Sequence, residues 1–420
     1  MPDTTSSAVR PFGHAAREAW GLDPSLTFLN HGSFGAVPRT LLDAAESHRR
    51  GIERNPVEGV WRHAIPDIRR NAEAVAAFVG GHPDRTAFVP NATAGINAML
   101  DALDLAPGTE VLHIDQGYNA VWQTILRAGR QRGLEPRRVE LPWPIVDETQ
   151  ILERFDASMT PRTSLLVLDQ VTSPTAIRLP IQSIIDLARN RGVEVIVDGA
   201  HAPGMLDRPA ASSERAAAWT GNLHKWPCAL RGTAALCVRE DLETIVKPSI
   251  TSHFLDVSFS AEFDWQGTFD PTPWLLAADA IAFMDRFGGW DAVRSRNHDL
   301  AVEAHRTLCE SFAVQAMSPL DGRFLGSMAT ILLPPPLQPE QGGPPLAAGH
   351  GATDDRGRLD LQIDPIQKML HERHRIEIPV MVFAGRRHVR ISVHVYNQAS
   401  DYRRLADAIH EITESTWTRT

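Results

Sequence analysis

The chain has 420 residues, 43% hydrophobic and 22% charged, a soluble globular composition long enough for two or three domains. Its formal net charge of -9, with no Lys/Arg block, argues against nonspecific nucleic-acid binding. Three scattered cysteines give neither a disulfide framework nor a zinc pattern, no apolar run is long enough for a membrane span, and Met1–Arg10 lacks signal-peptide character, so a reducing cytoplasm fits best.

Residues 1–24 read as a polar, mobile N-terminal segment. Thr27-Phe28-Leu29 reads as a short strand running into a Gly-rich turn, 30–35. Helical patterning follows at about 39–54 and 64–79. Strands at 86–89, 110–114, 164–169, 193–198 and 234–238 then alternate with helices at 94–103, 120–132 and 181–191. That alternation predicts an α/β fold, a mostly parallel sheet sandwiched by helices, with ligands beyond the carboxyl ends of the strands. Residues 25–290 make up this large domain. Residues 291–420 read as a smaller α+β C-terminal domain, with a long helix at 292–312, strands at 325–333 and 389–395, and a closing helix at 401–414. Within it, the Pro-, Gly- and Ala-rich stretch 334–355 reads as a flexible surface loop.

Lysine is scarce. Lys225, Lys247 and Lys368 are the only three, while arginine is abundant, a bias that a GC-rich genome also produces. His224-Lys225-Trp226 nevertheless keeps an amine, which can form a Schiff base with a carbonyl cofactor as a guanidinium cannot. Upstream, the strand at 193–197 ends in Asp198-Gly199-Ala200-His201. A strand ending in Asp, followed by a polar turn such as Thr220-Gly221-Asn222 and then a Lys, is the layout of a pyridoxal 5'-phosphate site. The acid keeps a proton on the pyridine nitrogen and the lysine carries the aldehyde. His201 is placed to hydrogen-bond the ring's phenolic oxygen, although Asp198 taken alone reads equally as the cap of the next turn. Pro90-Asn91-Ala92-Thr93-Ala94-Gly95-Ile96-Asn97 joins a strand to a helix, and its free N–H groups suit a phosphate. Taken alone it reads as an N-cap by Thr93.

Four separated segments together resemble the class V aminotransferase family of fold-type-I pyridoxal phosphate enzymes, and within it the isopenicillin N epimerase-like branch. They are Phe28-Leu29-Asn30-His31-Gly32-Ser33-Phe34-Gly35, Pro90-Asn91-Ala92-Thr93-Ala94-Gly95, Val197-Asp198-Gly199-Ala200-His201-Ala202-Pro203-Gly204 and Thr220-Gly221-Asn222-Leu223-His224-Lys225-Trp226. Weaker matches follow in Trp265-Gln266-Gly267-Thr268-Phe269-Asp270 and Arg390-Ile391-Ser392. The resemblance implies that Lys225 binds the cofactor, Asp198 its pyridine nitrogen and His201 its phenolic oxygen. It places Ala92, Thr93, Asn222 and His224 on the phosphate and Tyr118 over the ring face. It gives Asn30, His31 and Arg390 to the substrate, with Arg390 on its carboxylate. Thr268 is expected to reach the neighbouring subunit's phosphate, which makes the protein a homodimer with sites at the interface. The substrate class implied is a small amino-acid-containing molecule of secondary, antibiotic-type metabolism.

Two departures bear on the reaction. Gln116 and Gln170 stand where this branch often has His, so a titratable ring gives way to a neutral amide at both positions. Sulfur leaving from Cβ would make the protein a lyase, and reprotonation of Cα from the opposite face an epimerase. Protonation on the cofactor would make it an aminotransferase, and loss of the carboxylate a decarboxylating deaminase. A C–S lyase acting on an S-conjugated cysteine leads, because it needs only one base. An inert regulator of the same fold is the alternative of a different class, against which Asp198, Lys225 and Arg390 stand together. No metal is expected: His371-Glu372-Arg373-His374 lacks the i, i+4 spacing of a zinc-protease pair, and the 17 histidines form no ligand pattern.

Overall fold

Runs of buried β-branched residues put a parallel sheet at the centre of the molecule. The structure, a computed structural model, describes residues 9–341, 343 and 363–417. The chain opens with β1 (Thr27–Phe28), α1 (His31–Phe34), α2 (Arg39–Glu53) and α3 (Ile65–Val79). The sheet and its helices follow as β2 (Thr86–Val89), α4 (Ala92–Ala102), β3 (Glu110–Ile114), α5 (Asn119–Arg132), β4 (Glu135–Val139), α6 (Glu148–Ser158), β5 (Thr163–Asp169), α7 (Ile181–Asn190), β6 (Glu194–Asp198), β7 (Ala218–Asn222) and β8 (Ala234–Val238). Short helices α8 (Phe259–Asp264), α9 (Thr272–Leu275) and α10 (Ala277–Ala282) lead to α11 (Gly289–Phe312). The C-terminal part adds β9 (Met328–Leu332), α12 (Pro365–His374), β10 (Ile376–Glu377), β11 (Val380–Phe383), β12 (Arg386–Ser392) and α13 (Ala399–Trp417).

The central sheet has the order β2-β8-β7-β6-β5-β3-β4, with only β8 antiparallel to its neighbours. Alternate strand residues feed two cores, Leu112, Leu166, Val195 and Val197 on one face and Val111, Leu165, Val167 and Ile196 on the other. Helix α7 shows how a covering helix is specified. Ile181, Ile184, Ile185 and Ala188 recur at helical spacing and are its buried face. From β3 the chain steps to β4 on one side and returns to β5 on the other, so a crevice opens beyond the ends of β3 and β5. A third core, including Leu308, Ile331, Ile391 and Ile409, organises β9, β12, α11 and α13. Among the described residues no helix is long and apolar enough to cross a membrane.

Several expectations need correction. The described part of 1–24 is not a loose leader: Trp20 is buried and packs on Phe283, Phe287, His394 and Tyr396. Residues 27–29 also do not sit with the large sheet, because β1 pairs with β10 and Leu29 packs in the C-terminal core. The stretch read as a Gly-rich turn contains the single helical turn α1. The helix at 92–102 is capped by Asn91, whose side chain accepts the Ala94 amide, and not by Thr93. The loop expected at 334–355 begins as packed structure. Leu337 and Gln338 are buried, and the Gln338 amide donates to the carbonyls of Leu333 and Arg387. Positions 342 and 344–355 lie outside the described residues.

Candidate active site

The carboxyl ends of β5, β6 and β7 bring three ionisable side chains into one buried place. Asp198 ends β6, and its Oδ1 accepts the Ala200 amide at 2.9 Å. Burial pushes its pKa up, opposed by that amide and by the charge of Lys225. Asp169 ends β5 in register with Asp198, so two carboxyls stand side by side. Burial and then the Asp198 charge push Asp169 well above the carboxylate range. Its Oδ1 accepts the Tyr118 amide at 3.2 Å. Beneath that turn Gly117 leaves no room for a side chain, since a Cβ would lie 2.2 Å from His113 Nε2. Sequence reading passed over Asp169. The signal was there, an acid at a strand end level with Asp198.

Lys225 follows β7 on a turn, and its Nζ lies 3.1 Å from His201 Nε2. Burial, then Arg390, draws the amine down to about 7, against the pull of Asp198 and Asp169. At neutral pH it is therefore partly an uncharged nucleophile. Burial, Lys225 and Arg390 keep the His201 imidazole neutral. When its Nε2 accepts from the amine, its Nδ1 carries the proton, and that atom is buried without a partner among the described residues.

At the other end of this place, the first turn of α4 meets the end of β7. The Ala92 amide donates to Asn222 Oδ1 at 2.9 Å, and Thr93 stands half-buried beside it. His224 Nδ1 donates to the Thr233 carbonyl at 3.1 Å, and burial followed by Lys225 lowers the ring to about 4. The Thr220 hydroxyl is directed away, to the Ala235 carbonyl. Tyr118, the residue just before α5, has 45% of its surface exposed.

Arg390 reaches in from β12. Nη1 donates to the Ser173 carbonyl at 2.6 Å and to its hydroxyl at 3.3 Å, and Nη2 donates to Ser33 Oγ at 3.0 Å. The side chain is buried, yet no carboxylate pairs with it among the described residues. Burial lowers it to about 10, and Nε has no partner among those residues.

Of the residues expected on the substrate, His31 is turned inward. It is fully buried behind the lysine, with Nε2 on the Lys225 carbonyl at 2.9 Å and Nδ1 on the Tyr396 hydroxyl at 2.6 Å. A turn reading left its side chain free to point outward, and the helical turn carries it in. Thr268 is exposed and makes no hydrogen bond to the other residues named here. Asn30 is half-buried and binds Glu377 and the Ser33 hydroxyl.

The two glutamines also separate. Gln170 is a structural brace: its amide donates to Pro209 and Ser212 and its oxygen accepts the Trp219 indole N–H at 2.8 Å. Gln116 accepts the Thr175 hydroxyl at 2.7 Å, and its buried Nε2 has no partner among the described residues. Among the described residues, one group of metal-ligand atoms lies close together, those of His31, Cys228 and His394. Both Nε2 atoms donate to backbone carbonyls, of Lys225 and Trp226, and the rings stack 3.9 Å apart at 19°. Near-parallel rings cannot direct two lone pairs at one ion, so this group is a hydrogen-bonded brace.

Residues 36–405 match the aminotransferase class-V family. The chain is 30% identical over 417 residues to an isopenicillin N epimerase of Amycolatopsis lactamdurans, covering 95% of this chain and 98% of that one. It is 28% identical over 426 residues to a putative L-cysteine desulfhydrase of Oryza sativa subsp. japonica, covering 93% and 84%. Among solved structures, the apo cysteine desulfurase of Thermococcus onnurineus superposes with a TM-score of 0.74 at 16% identity, covering 97% of this chain and 100% of that one. The cystine C–S lyase C-DES, in complex with cysteine persulfide, gives 0.71 at 17%, covering 92% and 97%. At those identities the two structures show a shared fold.

Proposed function

Since the chain belongs to the class V aminotransferase family of pyridoxal 5'-phosphate enzymes, we propose that it is a C–S lyase acting on an S-substituted cysteine. The side chains present suit that cofactor. A buried amine near neutrality would take its aldehyde, Asp198 its ring nitrogen, and the bare His201 Nδ1 its ring oxygen. The first turn of α4, with Ala92, Thr93, Asn222 and His224, would take its phosphate. When bound, pyridoxal phosphate draws electron density from the substrate's Cα.

The observation that carries the reading is Arg390, a buried cation without a carboxylate among the described residues, in electrostatic reach of the partly neutral Lys225. A guanidinium has five donors; Ser173 takes both on Nη1 and Ser33 one on Nη2, which leaves the other Nη2–H and the Nε–H, without a partner among the described residues, for an incoming carboxylate. Fixing the carboxylate there leaves Lys225 to take the proton from Cα. Sulfur on Cβ then departs without a second protein base. Gln116 and Gln170 supply none on the opposite face, the latter being tied to Trp219.

Balanced, the reaction takes an S-substituted cysteine and water to a thiol, pyruvate and ammonium. Product analysis on such conjugates in deuterium oxide tests it. Thiol with pyruvate is the expected result, and carbon dioxide would mean that Arg390 orients the substrate differently. An intact sulfur bond with an inverted, deuterated Cα would establish an epimerase instead. That second reading is favoured by the 30% identity to isopenicillin N epimerase over nearly the whole chain. A homodimer belongs to the same proposal, supported by exposed apolar residues at Phe34, Trp61, Leu255 and Val257 and by the exposure of Thr268. Light scattering of an active monomer would remove it.

A further inference from the structure

One six-residue stretch, 30–35, touches both ends of the site. From its first turn, His31 Nε2 donates to the Lys225 carbonyl at 2.9 Å. Two residues later, Ser33 Oγ accepts from Arg390 Nη2 at 3.0 Å and donates to Asn30 Oδ1 at 2.5 Å. The stretch then passes so close over the lysine that a Cβ on Gly35 would lie 2.2 Å from the His224 carbonyl oxygen and 2.8 Å from that of Lys225. With φ at +66° as well, that position admits little but glycine. On its other side the stretch is joined to β12: the Gly32 amide donates to Ser392 Oγ at 3.1 Å and the Ser392 amide to the Leu29 carbonyl at 2.9 Å.

These contacts have a geometric consequence. His31 and Ser33 belong to a single helical turn, so they do not move independently. The backbone of Lys225 limits where its amine can reach. The plane of the Arg390 guanidinium sets the direction in which a carboxylate is held. Ser173 holds that plane at Nη1, and Ser33 supplies the second point that stops it pivoting.

We propose that 30–35 is a positioning element that holds Lys225 and Arg390 in one register, with His31 acting on the first and Ser33 on the second, and that this register governs which product forms. The proposal rests on the roles given above to Lys225 and Arg390. Ser33 is the residue it adds.

The holoenzyme and its Ser33→Ala, Ser33→Thr, Asn30→Ala and Arg390→Ala variants test it with two measurements. Calorimetry with 3-(methylthio)propanoate, which has the carboxylate but no amine, reads the guanidinium alone. The ratio of thiol released to deuterium gained at Cα of recovered S-methylcysteine reads the register. Ser33→Ala should weaken the carboxylate about tenfold, the size of one hydrogen bond to a charged group, and shift the ratio toward exchange. Ser33→Thr should restore both. Asn30→Ala, which frees the Ser33 hydroxyl to turn away, should act in the same direction by a smaller factor and covers the case of a Ser33→Ala chain that fails to fold. If Ser33→Ala and Asn30→Ala leave both measurements unchanged while Arg390→Ala abolishes binding, the positioning role is wrong and the reading of Arg390 stands. Weaker binding with an unchanged ratio also overturns it, because Ser33 would then serve affinity only. If Arg390→Ala itself leaves carboxylate binding intact, the functional reading beneath the proposal falls.

Discussion

Arg387 and Arg390 lie three residues apart on β12, are equally buried, and face opposite sides of the strand. Arg387 donates from Nε to Asp364 Oδ2 at 2.7 Å and from Nη1 to the Leu337 carbonyl at 2.9 Å. Asp364 in turn caps α12 by accepting the Ile366 amide. Arg390 has a carbonyl and two serine hydroxyls, and no carboxylate among the described residues. A buried charge closed by its own anion belongs to the fold. A buried charge left open is stable only because neutral dipoles hold it, and it gains most when an anion arrives.

The contrast fails at once if the open arginine does not face the reacting amine, so Lys225→Ala gives the largest expected effect. Turnover should fall at least about a thousandfold, the upper range of general-base contributions. Borohydride should fix the cofactor to Lys225 in the parent protein and to nothing in the variant. Mass spectrometry that finds it on Lys247 or Lys368 would end this assignment.

Exchanging the two arginines for methionine sharpens the contrast directly. Arg390→Met should lower kcat/KM by about a hundredfold to a thousandfold, mainly through KM, in line with about 2–5 kcal/mol for truncating a buried charged contact. Its thermal stability should hold or rise, because an uncompensated buried charge has gone. Arg387→Met should do the reverse, stranding Asp364 at a cost of about 3–5 kcal/mol while turnover per folded molecule is kept. Thermal melts and steady-state kinetics on the two proteins decide it. A parallel contrast separates the glutamines. Gln170→Ala leaves the Trp219 indole N–H unpaired and should cost about 1–3 kcal/mol without changing the product.

The sheet was legible where strands are apolar and buried on both faces, as at 110–114 and 194–198. Two strands were not. The edge strand β4 carries Pro136 and two arginines, which argue against a strand in any single sequence. In β7, Thr220, Gly221 and Asn222 look like a turn, and only tertiary contact makes them strand. The site divides in a similar way. Lys225 and Asp198 could be picked out from their chemistry at those places, and Arg390 only through the family resemblance. The contacts of Asp169, Ser33 and His31 could not, since each depends on a side-chain direction set by residues distant in sequence.

The smallest effect expected is also the most specific to this pair of arginines, and it is read without cofactor. Lys225 is held at about 7 in the fold against an ordinary value of 10.5, with the Arg390 charge second only to burial among the causes. Between those values the unfolded chain binds the extra proton, so this group makes stability rise with pH, by up to about 1.4 kcal/mol per unit. Its contribution is complete above the unfolded value and is lost as pH falls to the folded one. Removing the Arg390 charge should raise the folded pKa and shift the onset of the rise upward, whereas Arg387→Met should leave the onset in place. The buried thiols of Cys228, Cys237 and Cys309 are pushed up by burial and oppose the rise at higher pH. Urea melts of the apo-protein and both variants at pH 7, 7.5, 8 and 8.5 should therefore be compared as differences, in which the thiol contribution cancels. Equal slopes in all three proteins would mean that Arg390 does not act on Lys225, and the open arginine would then be as structural as the closed one.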